Sequence, residues 1–321
     1  MLITLHSGTV GLTGLRKLRE TLKLSARALL HRQAASGWLE LLNAHPLFLD
    51  LVAEHPRLVY KIFRPYFSNT MDCQGRLNVL SQHYRFILRQ GLGPLTARAS
   101  REPVELGSVM GKSGLLYHVQ LRAVEPMERE GELVLQLLQG DEVVYNCAFT
   151  FQNDGGAMVL GVGCMQGPRG AHGLQLIKDA TRDLHGLRPK NMMIKLLSQI
   201  GHALGCSELR LVGNANRTVC RSVRQGKVHA DYNALWQELD ASPRADGDYR
   251  LPCEQLAPLD LEAIASKKRS EARKRHDALR ELADAVSASL RPSGPALALA
   301  SSTPADLPAA NEPEHKTYAL A

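Results

Sequence analysis

Glycines and basic residues alternate in two short segments of the second half of the sequence, MQGPRG (165–170) and HGLRPK (185–190). Glycine lets backbone amides approach a ligand closely, and the amino end of a following helix offers unpaired N–H groups and a partial positive charge. Guanidinium and ammonium groups beside such amides bind phosphate oxygens. The predicted anion site consists of Gly167, Arg169, Gly170, Gly186, Arg188 and Lys190, with Asn214 at the end of a later strand.

The anion would be the pyrophosphate of coenzyme A or the phosphate on the prosthetic arm of a carrier protein. The sequence therefore predicts acyl-CoA or an acyl-carrier protein as a co-substrate and no permanently bound cofactor. A structural alternative is open, in which Gly186 and Pro189 end one helix and begin the next. Arg188 and Lys190 would then lie in solvent at the junction.

Three further residues are of the types that acyl transfer requires, namely a base near the attacking group and a donor near the thioester. His185 could take the proton, Tyr232 could donate to the leaving thiolate, and Asp231 could orient either of them. Each also has a structural alternative, because histidine can cap helix carbonyls and an Asp-Tyr pair can supply an N-cap and a core aromatic.

The apolar pattern that must position these residues changes its period along the chain. Residues 36–100 follow helical spacing, with prolines near the breaks. Four segments rich in Val, Tyr and Phe follow and predict an antiparallel meander with short polar turns: 115–124, 132–139, 143–152 and 157–166. Two helices, a strand from Glu208 and a long closing helix complete the pattern.

This order of elements resembles that of GNAT-type acyltransferases, in which splayed central strands admit an acyl thioester. We expect a mixed α/β (α+β) fold, with a helical N-terminal region followed by a GNAT-like, mainly antiparallel sheet and flanking helices. The expected divisions are a basic N-terminal segment (1–35), a helical region (36–100), a GNAT-like domain with its closing helix (101–290) and a disordered tail (291–321).

The N-terminal segment carries most of the excess charge, since residues 1–35 hold six cations against Glu20 and the whole chain has a net charge of +7. Leucines and cations there occupy different angles of one predicted helix. One interpretation is an anchor on an anionic membrane surface. The other is a helix packed on the main domain with a solvated basic face.

The composition excludes several classes of protein. No uninterrupted apolar stretch approaches the length of a membrane span, and the six cysteines show neither a C-x-x-C pair nor zinc spacing. We expect a cytoplasmic protein with reduced thiols and without a metal, which the anchor interpretation would place peripherally on the inner membrane. Aromatic residues make up only 5%, and no base-reading motif accompanies the cations, so nucleic acid is not an expected partner.

The segment ELGSVMGKSG looks like a phosphate-binding loop, but position 106, where that motif needs its first glycine, is Leu106. We therefore exclude a P-loop NTPase and interpret Ser113 as a turn residue.

Several longer motifs together resemble the bacterial VirK/YbjX family: HYRFI (83–87), EREGEL (128–133), LGVGCMQG (160–167), ATRDLHGLRPK (180–190), LVGN (211–214), HADYNALW (229–236) and SKKRSEARKR (266–275). The resemblance covers roughly residues 38–290. It implies a cytoplasmic protein linked to the bacterial envelope, virulence and tolerance of cationic antimicrobial peptides.

The resemblance implies no settled reaction, so two functions stay open. One is an acyltransferase that moves an acyl group from CoA or a carrier to an envelope lipid, lipid precursor or peptide. The other is a non-catalytic envelope factor that binds an anionic lipid or a protein client through its basic surfaces. The run of cations at 267–275 belongs to the second hypothesis, although it could equally be a solvated helix face.

Overall fold

The fold is seen in a computed structural model that describes residues 2–219, 225 and 230–291. The predicted disordered tail lies outside the described residues, apart from Arg291. The division of the chain into domains stays a prediction.

Helices form the N-terminal region, as the sequence predicts. Their bounds are Leu5–Thr9 (a 3-10 helix), Gly14–Leu30 (α1), Arg32–Asn43 (α2), Leu47–Glu54 (α3), Pro56–Phe63 (a second 3-10 helix), Cys73–Arg89 (α4) and Gly93–Arg101 (α5). Trp38 is fully buried among them, and its indole N–H donates to the Val59 carbonyl oxygen at 3.2 Å. Contacts between side chains of different helices thus hold the N-terminal region together.

In the described residues, eight strands form one sheet in the order β1-β2-β3-β4-β5-β6-β8-β7. Their bounds are Val104–Met110 (β1), Leu116–Ala123 (β2), Leu133–Gln139 (β3), Glu142–Asp154 (β4), Ala157–Gln166 (β5), Glu208–Leu211 (β6), Ser242–Pro243 (β7) and Tyr249–Pro252 (β8). The predicted four-strand meander is present, but it is preceded by β1. Sequence reasoning missed this strand because Gly107 and Ser108 interrupt its apolar pattern.

The strands β5 and β6 run parallel, whereas the other neighbouring pairs in the described sheet are antiparallel. Their pairing extends from Val159 opposite Glu208 to Val162 opposite Leu211. Strand β5 continues to Gln166 along β4, so its last residues have no β6 partner. The carboxyl end of β5 is therefore open on one side.

The remaining described helices are Gly170–Asp183 (α6), Pro189–Ala203 (α7), Tyr232–Glu238 (α8) and Ser266–Ser289 (α9). One cluster of buried apolar side chains extends from Ile3 to Leu290 and joins the N-terminal helices, the sheet and α9. The predicted mixed α/β fold, with a mainly antiparallel sheet and flanking helices, is confirmed.

Candidate functional site

The open end of β5 is filled by the side chain of Tyr232, the first residue of α8. Its ring is buried, and its hydroxyl donates to the Met165 carbonyl oxygen and accepts from the Met165 N–H, each at 2.8 Å. These backbone groups lie beyond the last β6 partner, so the phenol supplies the hydrogen bonds that a neighbouring strand would otherwise make. Burial raises the pKa of Tyr232 well above its ordinary value.

Asn214 and Asp231 hold Tyr232 in this position. The Asn214 side chain donates to Asp231 Oδ1 at 2.7 Å and accepts from the Tyr232 N–H at 2.8 Å. Asp231 is the N-cap of α8 and accepts from the Ala234 N–H at 3.1 Å. The structure thus brings together three residues that the sequence singled out. Their contacts are those of an N-cap and a core aromatic, and the catalytic roles of Asp231 and Tyr232 stay predictions.

A buried polar cluster that the sequence did not indicate surrounds this tyrosine. Arg217 lies over the Tyr232 ring, with its guanidinium carbon 3.8 Å from the ring centroid. Cys164 lies 3.2 Å from the Tyr232 hydroxyl, and burial raises the pKa of its thiol to about 11. Glu130 accepts a hydrogen bond from the Thr218 hydroxyl at 2.8 Å. The open end of β5 thus carries a carboxyl, a thiol and a guanidinium.

Glu130 belongs to the loop between β2 and β3, and this loop lies directly on β5. A Cβ atom added at Gly163 would fall 1.9 Å from the Glu130 carbonyl oxygen, so only glycine permits the contact. Burial raises the pKa of the Glu130 carboxyl, which moves it toward the range of a general base at neutral pH.

The second feature of the site is a cleft of about 590 Å³ beside the junction of α6 and α7. Gly186 shapes this junction because its φ of +79° is one that side chains rarely adopt. The cleft is lined mainly by α6 and the start of α7: Tyr145, Ile177, Lys178, Thr181, Arg182, Arg188, Pro189 and Lys190. Its volume is within the range of small-molecule sites.

Arg188 and Lys190 converge at the cleft, since both side chains hydrogen-bond the Glu238 carboxylate at the end of α8. The hydrogen bond from Lys190 lowers the pKa of Glu238. Both side chains are also partly exposed, Arg188 at 58% and Lys190 at 26%, so the alternative in which they lie in solvent at a helix junction stays open. An incoming anion would have to compete with Glu238 for both of them.

The first glycine segment connects β5 with this cleft. A Cβ atom at Gly167 would lie 2.7 Å from Ile177 Cδ1 and 3.3 Å from the Tyr145 ring, two residues that line the cleft. Arg169 is the exposed N-cap of α6, and Gly170 follows it with a φ of +80°. Neither Arg169 nor Gly170 lines the cleft, so the predicted anion residues do not all meet at one point.

His185 lies apart from Asp231 and Tyr232. It follows α6 with a φ of +55°, and its pKa is lowered by burial and by the nearby Lys112 and Lys274. A catalytic role for His185 stays a prediction, but no contact in the described part of the chain joins it to the Tyr232 cluster.

A third surface is formed by α1. Its leucine face is more than half exposed: Leu15 85%, Leu18 57%, Leu22 62% and Leu29 62%. Leu24, on another face of the helix, is buried and attaches α1 to the body of the protein. The helix therefore contacts the body of the protein through the face that holds Leu24. Its leucine stripe, which an amphipathic helix normally buries, faces solvent.

Two kinds of feature are absent from the described residues. No helix there is long and apolar enough to span a membrane. Nor do those residues contain a group of three or more His, Cys, Asp or Glu side chains that could hold a metal ion.

Sequence reasoning missed Glu130, Cys164, Arg217 and Glu238. The first two fall inside motifs that carry the family resemblance, EREGEL and LGVGCMQG, and that placement was the available signal. Arg217 contacts Tyr232, which lies 15 residues away in the sequence, and Glu238 contacts Arg188, which lies 50 residues away. No local pattern indicates such contacts.

The fold and these surfaces define a mixed α/β protein with an open parallel strand pair and a basic cleft. A family model described as "Protein of unknown function (DUF535)" matches residues 13–288. The chain belongs to this family, which confirms the VirK/YbjX resemblance that its motifs indicate.

Relatives from three bacteria match over most of their own length. The protein YbjX of Escherichia coli K12 is 28% identical over 264 residues, covering 80% of this chain and 79% of the relative. A Haemophilus influenzae protein is 26% identical over 265 residues, covering 82% and 87%. A Mannheimia haemolytica protein named "Membrane protein LapB" is 23% identical over 185 residues, covering 57% and 78%. No solved structure matches the chain.

Proposed function

We propose that this protein transfers an acyl group from a thioester of CoA or a carrier protein to a hydroxyl or amine of an envelope lipid, lipid precursor or peptide. The observation that carries the proposal is the parallel pair β5–β6, in which β5 runs past the end of β6 beside a basic cleft. The GNAT-like core that the element order suggests is part of this proposal.

The cleft between α6 and α7 would bind the phosphate end of the donor. Arg188 and Lys190 stand at the amino end of α7, where the helix dipole adds to their charge, and Lys178 and Arg182 lie on the facing helix. Gly167 connects this cleft to the end of β5, so a donor held there could direct its thioester arm toward Cys164 and Glu130.

Glu130 is the base that we propose in place of His185. The acceptor's O–H or N–H would lose its proton to the Glu130 carboxylate as its oxygen or nitrogen attacks the thioester carbonyl carbon. The C–S bond then breaks, and the thiolate takes up the proton that Glu130 accepted, so that the products are an acylated acceptor, a free thiol and the Glu130 carboxylate. Thr218 would orient the carboxylate through its hydrogen bond.

The donor must also displace the Tyr232 hydroxyl, which hydrogen-bonds the backbone N–H and carbonyl oxygen of Met165. A thioester arm that pairs with the end of β5 would replace the phenol there. In this proposal Tyr232 is a positioning residue that closes the empty site.

Calorimetric titration of acyl-CoA into the full chain tests the donor site. We expect the double variant Arg188→Ala/Lys190→Ala to bind at least tenfold more weakly than the native protein, because it loses both cations of the cleft. The control is Lys267→Ala/Lys268→Ala, which removes equal charge from exposed positions of α9 and should change the affinity less than twofold.

Two results would contradict this proposal. One is the absence of acyl-CoA binding by the native protein, and the other is an equal loss in both double variants, which would reflect net charge alone.

Acyl transfer itself is tested by Glu130→Gln, which should bind acyl-CoA normally but release free thiol at least a hundredfold more slowly with an accepting lipid.

A second candidate function is attachment to an anionic membrane surface, and the exposed leucine face of α1 favours it. Leucine side chains flanked by cations are typical of helices that lie in the bilayer interface. The relative from Mannheimia haemolytica is named a membrane protein, which agrees with contact to a bilayer. An envelope role, a protein client and a cytoplasmic location also stay proposals.

A further inference from the structure

A second basic cleft, of about 670 Å³, lies between α1 and the 3-10 helix Pro56–Phe63. Its cations come from three separate parts of the chain, namely α1, the second 3-10 helix with the residue after it, and the loop between β2 and β3. They are Arg16, Lys23, Arg27, Arg57, Arg64 and Arg129, and Glu20 is the one carboxylate that lines the cleft among the described residues.

Ion pairs neutralise only part of this charge. Lys23 pairs with Glu20 at 3.0 Å, and Glu128 pairs with Arg64 at 2.7 Å and with Arg57 at 3.7 Å. Arg16 and Arg27 have no ion pair among the residues that the structure describes. Glu20 and Glu128 thus pair with three of the six cations, and the cleft keeps an excess of positive charge that an anion could balance.

Arg129 is held in place on the far side of the cleft. Its guanidinium donates to the Thr218 carbonyl oxygen at 3.1 Å and to the Pro65 carbonyl oxygen at 3.4 Å. Both acceptors are uncharged, so these bonds fix the guanidinium without neutralising it, and the carboxylate that interacts with it electrostatically is that of Glu130. A fixed guanidinium binds phosphate oxygens with little loss of side-chain entropy.

Tyr60 supplies an independent observation. The residue is 7% exposed and lines the cleft, and within the described chain its buried hydroxyl has no hydrogen-bond partner. Buried hydroxyls are rarely left unpaired, so this group calls for a ligand or an ordered water. Phe63, Leu12 and Val10 make part of the lining apolar.

From these contacts we infer that the cleft between α1 and the second 3-10 helix binds a ligand that carries two or more phosphate charges beside an apolar group. Arg16, Arg27 and Arg129 would contact the phosphates, and the Tyr60 hydroxyl would donate to one of them. The ligand is either free in solution or the headgroup of a phosphorylated lipid, since both present the same chemistry. The site is separate from the α6–α7 cleft and does not depend on acyl transfer.

The first experiment is a calorimetric titration of inorganic pyrophosphate into the full chain at low salt. We expect Arg16→Gln/Arg27→Gln to weaken binding at least tenfold. The matched control, Lys17→Gln/Arg19→Gln, removes two charges from the same helix at exposed positions outside the cleft and should weaken it less than threefold. Tyr60→Phe, which removes one hydroxyl, should weaken it severalfold.

Three outcomes would overturn the inference. The native protein could fail to bind pyrophosphate, the two double variants could lose affinity equally, or binding could be lost in Arg188→Ala/Lys190→Ala alone. The last result would place the pyrophosphate in the α6–α7 cleft.

A second experiment distinguishes the two sources of the phosphate. Sedimentation is measured with phosphatidylcholine vesicles that contain phosphatidic acid, with and without pyrophosphate as a competitor. Displacement by pyrophosphate in the native protein, and its loss in Arg16→Gln/Arg27→Gln, would identify a lipid headgroup as the source. Pyrophosphate binding without vesicle binding would identify a free ligand. Vesicle binding that pyrophosphate does not affect in any variant would exclude a headgroup in this cleft.

Discussion

The Tyr232 hydroxyl makes both hydrogen bonds of the Met165 backbone, accepting from its N–H and donating to its carbonyl oxygen at 2.8 Å. The two residues lie 67 positions apart in the chain. A side chain thus takes the place of a strand at the point where β6 ends. Any ligand that binds to this part of β5 must displace the phenol, which links the stability of the protein to occupation of the site.

Tyr232→Phe should lower the free energy of unfolding by about 1–3 kcal/mol, because it leaves a buried N–H and a buried carbonyl oxygen without partners. Urea unfolding followed by circular dichroism measures the change. If a thioester arm replaces the phenol, the same variant should bind acyl-CoA more tightly than the native protein, since less must be displaced.

The matched control is Tyr60→Phe, which removes a buried hydroxyl that has no partner in the described part of the protein. Its unfolding free energy should change by less than about 0.5 kcal/mol. Equal losses in the two variants would show that the Met165 hydrogen bonds contribute nothing specific.

Local pattern was enough to predict most of the elements. Strands β2 to β5 alternate or are continuously apolar, and the pairing of β3 with β4 and of β4 with β5 follows from short turns at 140–141 and 155–156. The connection from β2 to β3 is a longer loop, residues 124–132. Strand β1 escaped prediction because Gly107 and Ser108 interrupt its apolar pattern. The reason for a glycine there is its close approach to Ala285 and Leu282 of α9, which lies far away in the sequence.

The candidate site was predictable only in part, for the same reason. The sequence singled out Asn214, Asp231 and Tyr232, which lie within 19 residues of one another in motifs that carry the family resemblance. In the structure these three residues are joined by hydrogen bonds. Glu130 reaches Thr218 across 88 residues, and Glu238 reaches Arg188 across 50. Whether a cation is free or paired depends on such distant contacts, so its availability to a ligand could not be read from local spacing.

Neutralising Glu238 should strengthen acyl-CoA binding, whereas removing its partners Arg188 and Lys190 should weaken it. Glu238→Gln removes the carboxylate that competes with a ligand anion for Arg188 and Lys190, so acyl-CoA should bind severalfold more tightly. Calorimetry at two salt concentrations measures the effect, which should shrink as ionic strength rises.

The control for this prediction is Glu262→Gln, at an exposed position near the start of α9. A similar gain there would mean that total charge, not release of the paired cations, governs donor affinity.

The leucine face of α1 should determine binding to anionic vesicles. Leu18→Ser/Leu22→Ser should weaken sedimentation with phosphatidylglycerol vesicles at least tenfold, a loss of about 1.4 kcal/mol or more. Leu115→Ser/Leu174→Ser is the matched control, because these leucines are also exposed but lie elsewhere on the surface. Vesicle binding that survives the first pair would remove the leucine face as the membrane contact.

Stability should fall in mild acid because of His83. The imidazole is fully buried, its Nδ1 accepts from the Phe151 N–H at 3.1 Å, and burial lowers its pKa from 6.5 to about 4. The unfolded chain binds the proton near pH 6.5 and the folded protein only near pH 4. The stability that His83 contributes is therefore intact above pH 6.5 and falls by up to about 3 kcal/mol as the pH drops to 4.

Urea unfolding between pH 7.5 and pH 4.5 measures this loss. His83→Asn keeps an acceptor for the Phe151 N–H but cannot take up the proton, so its stability should depend less on pH across this range. Parallel curves for the native protein and the variant would assign the acid sensitivity to other groups.

The ion pair between Lys61 and Glu132 lies inside the protein, with both side chains no more than 5% exposed and Nζ 2.5 Å from Oε1. Tyr84 also donates to Glu132, at 2.5 Å. Lys61→Met should destabilise the protein by about 3–5 kcal/mol, because it leaves a buried carboxylate without its counter-charge. The double variant Lys61→Met/Glu132→Gln should recover most of this loss, since the glutamine is neutral and still accepts from Tyr84. If the double variant is as unstable as Lys61→Met alone, the loss comes from packing around the lysine stem and not from the unpaired charge.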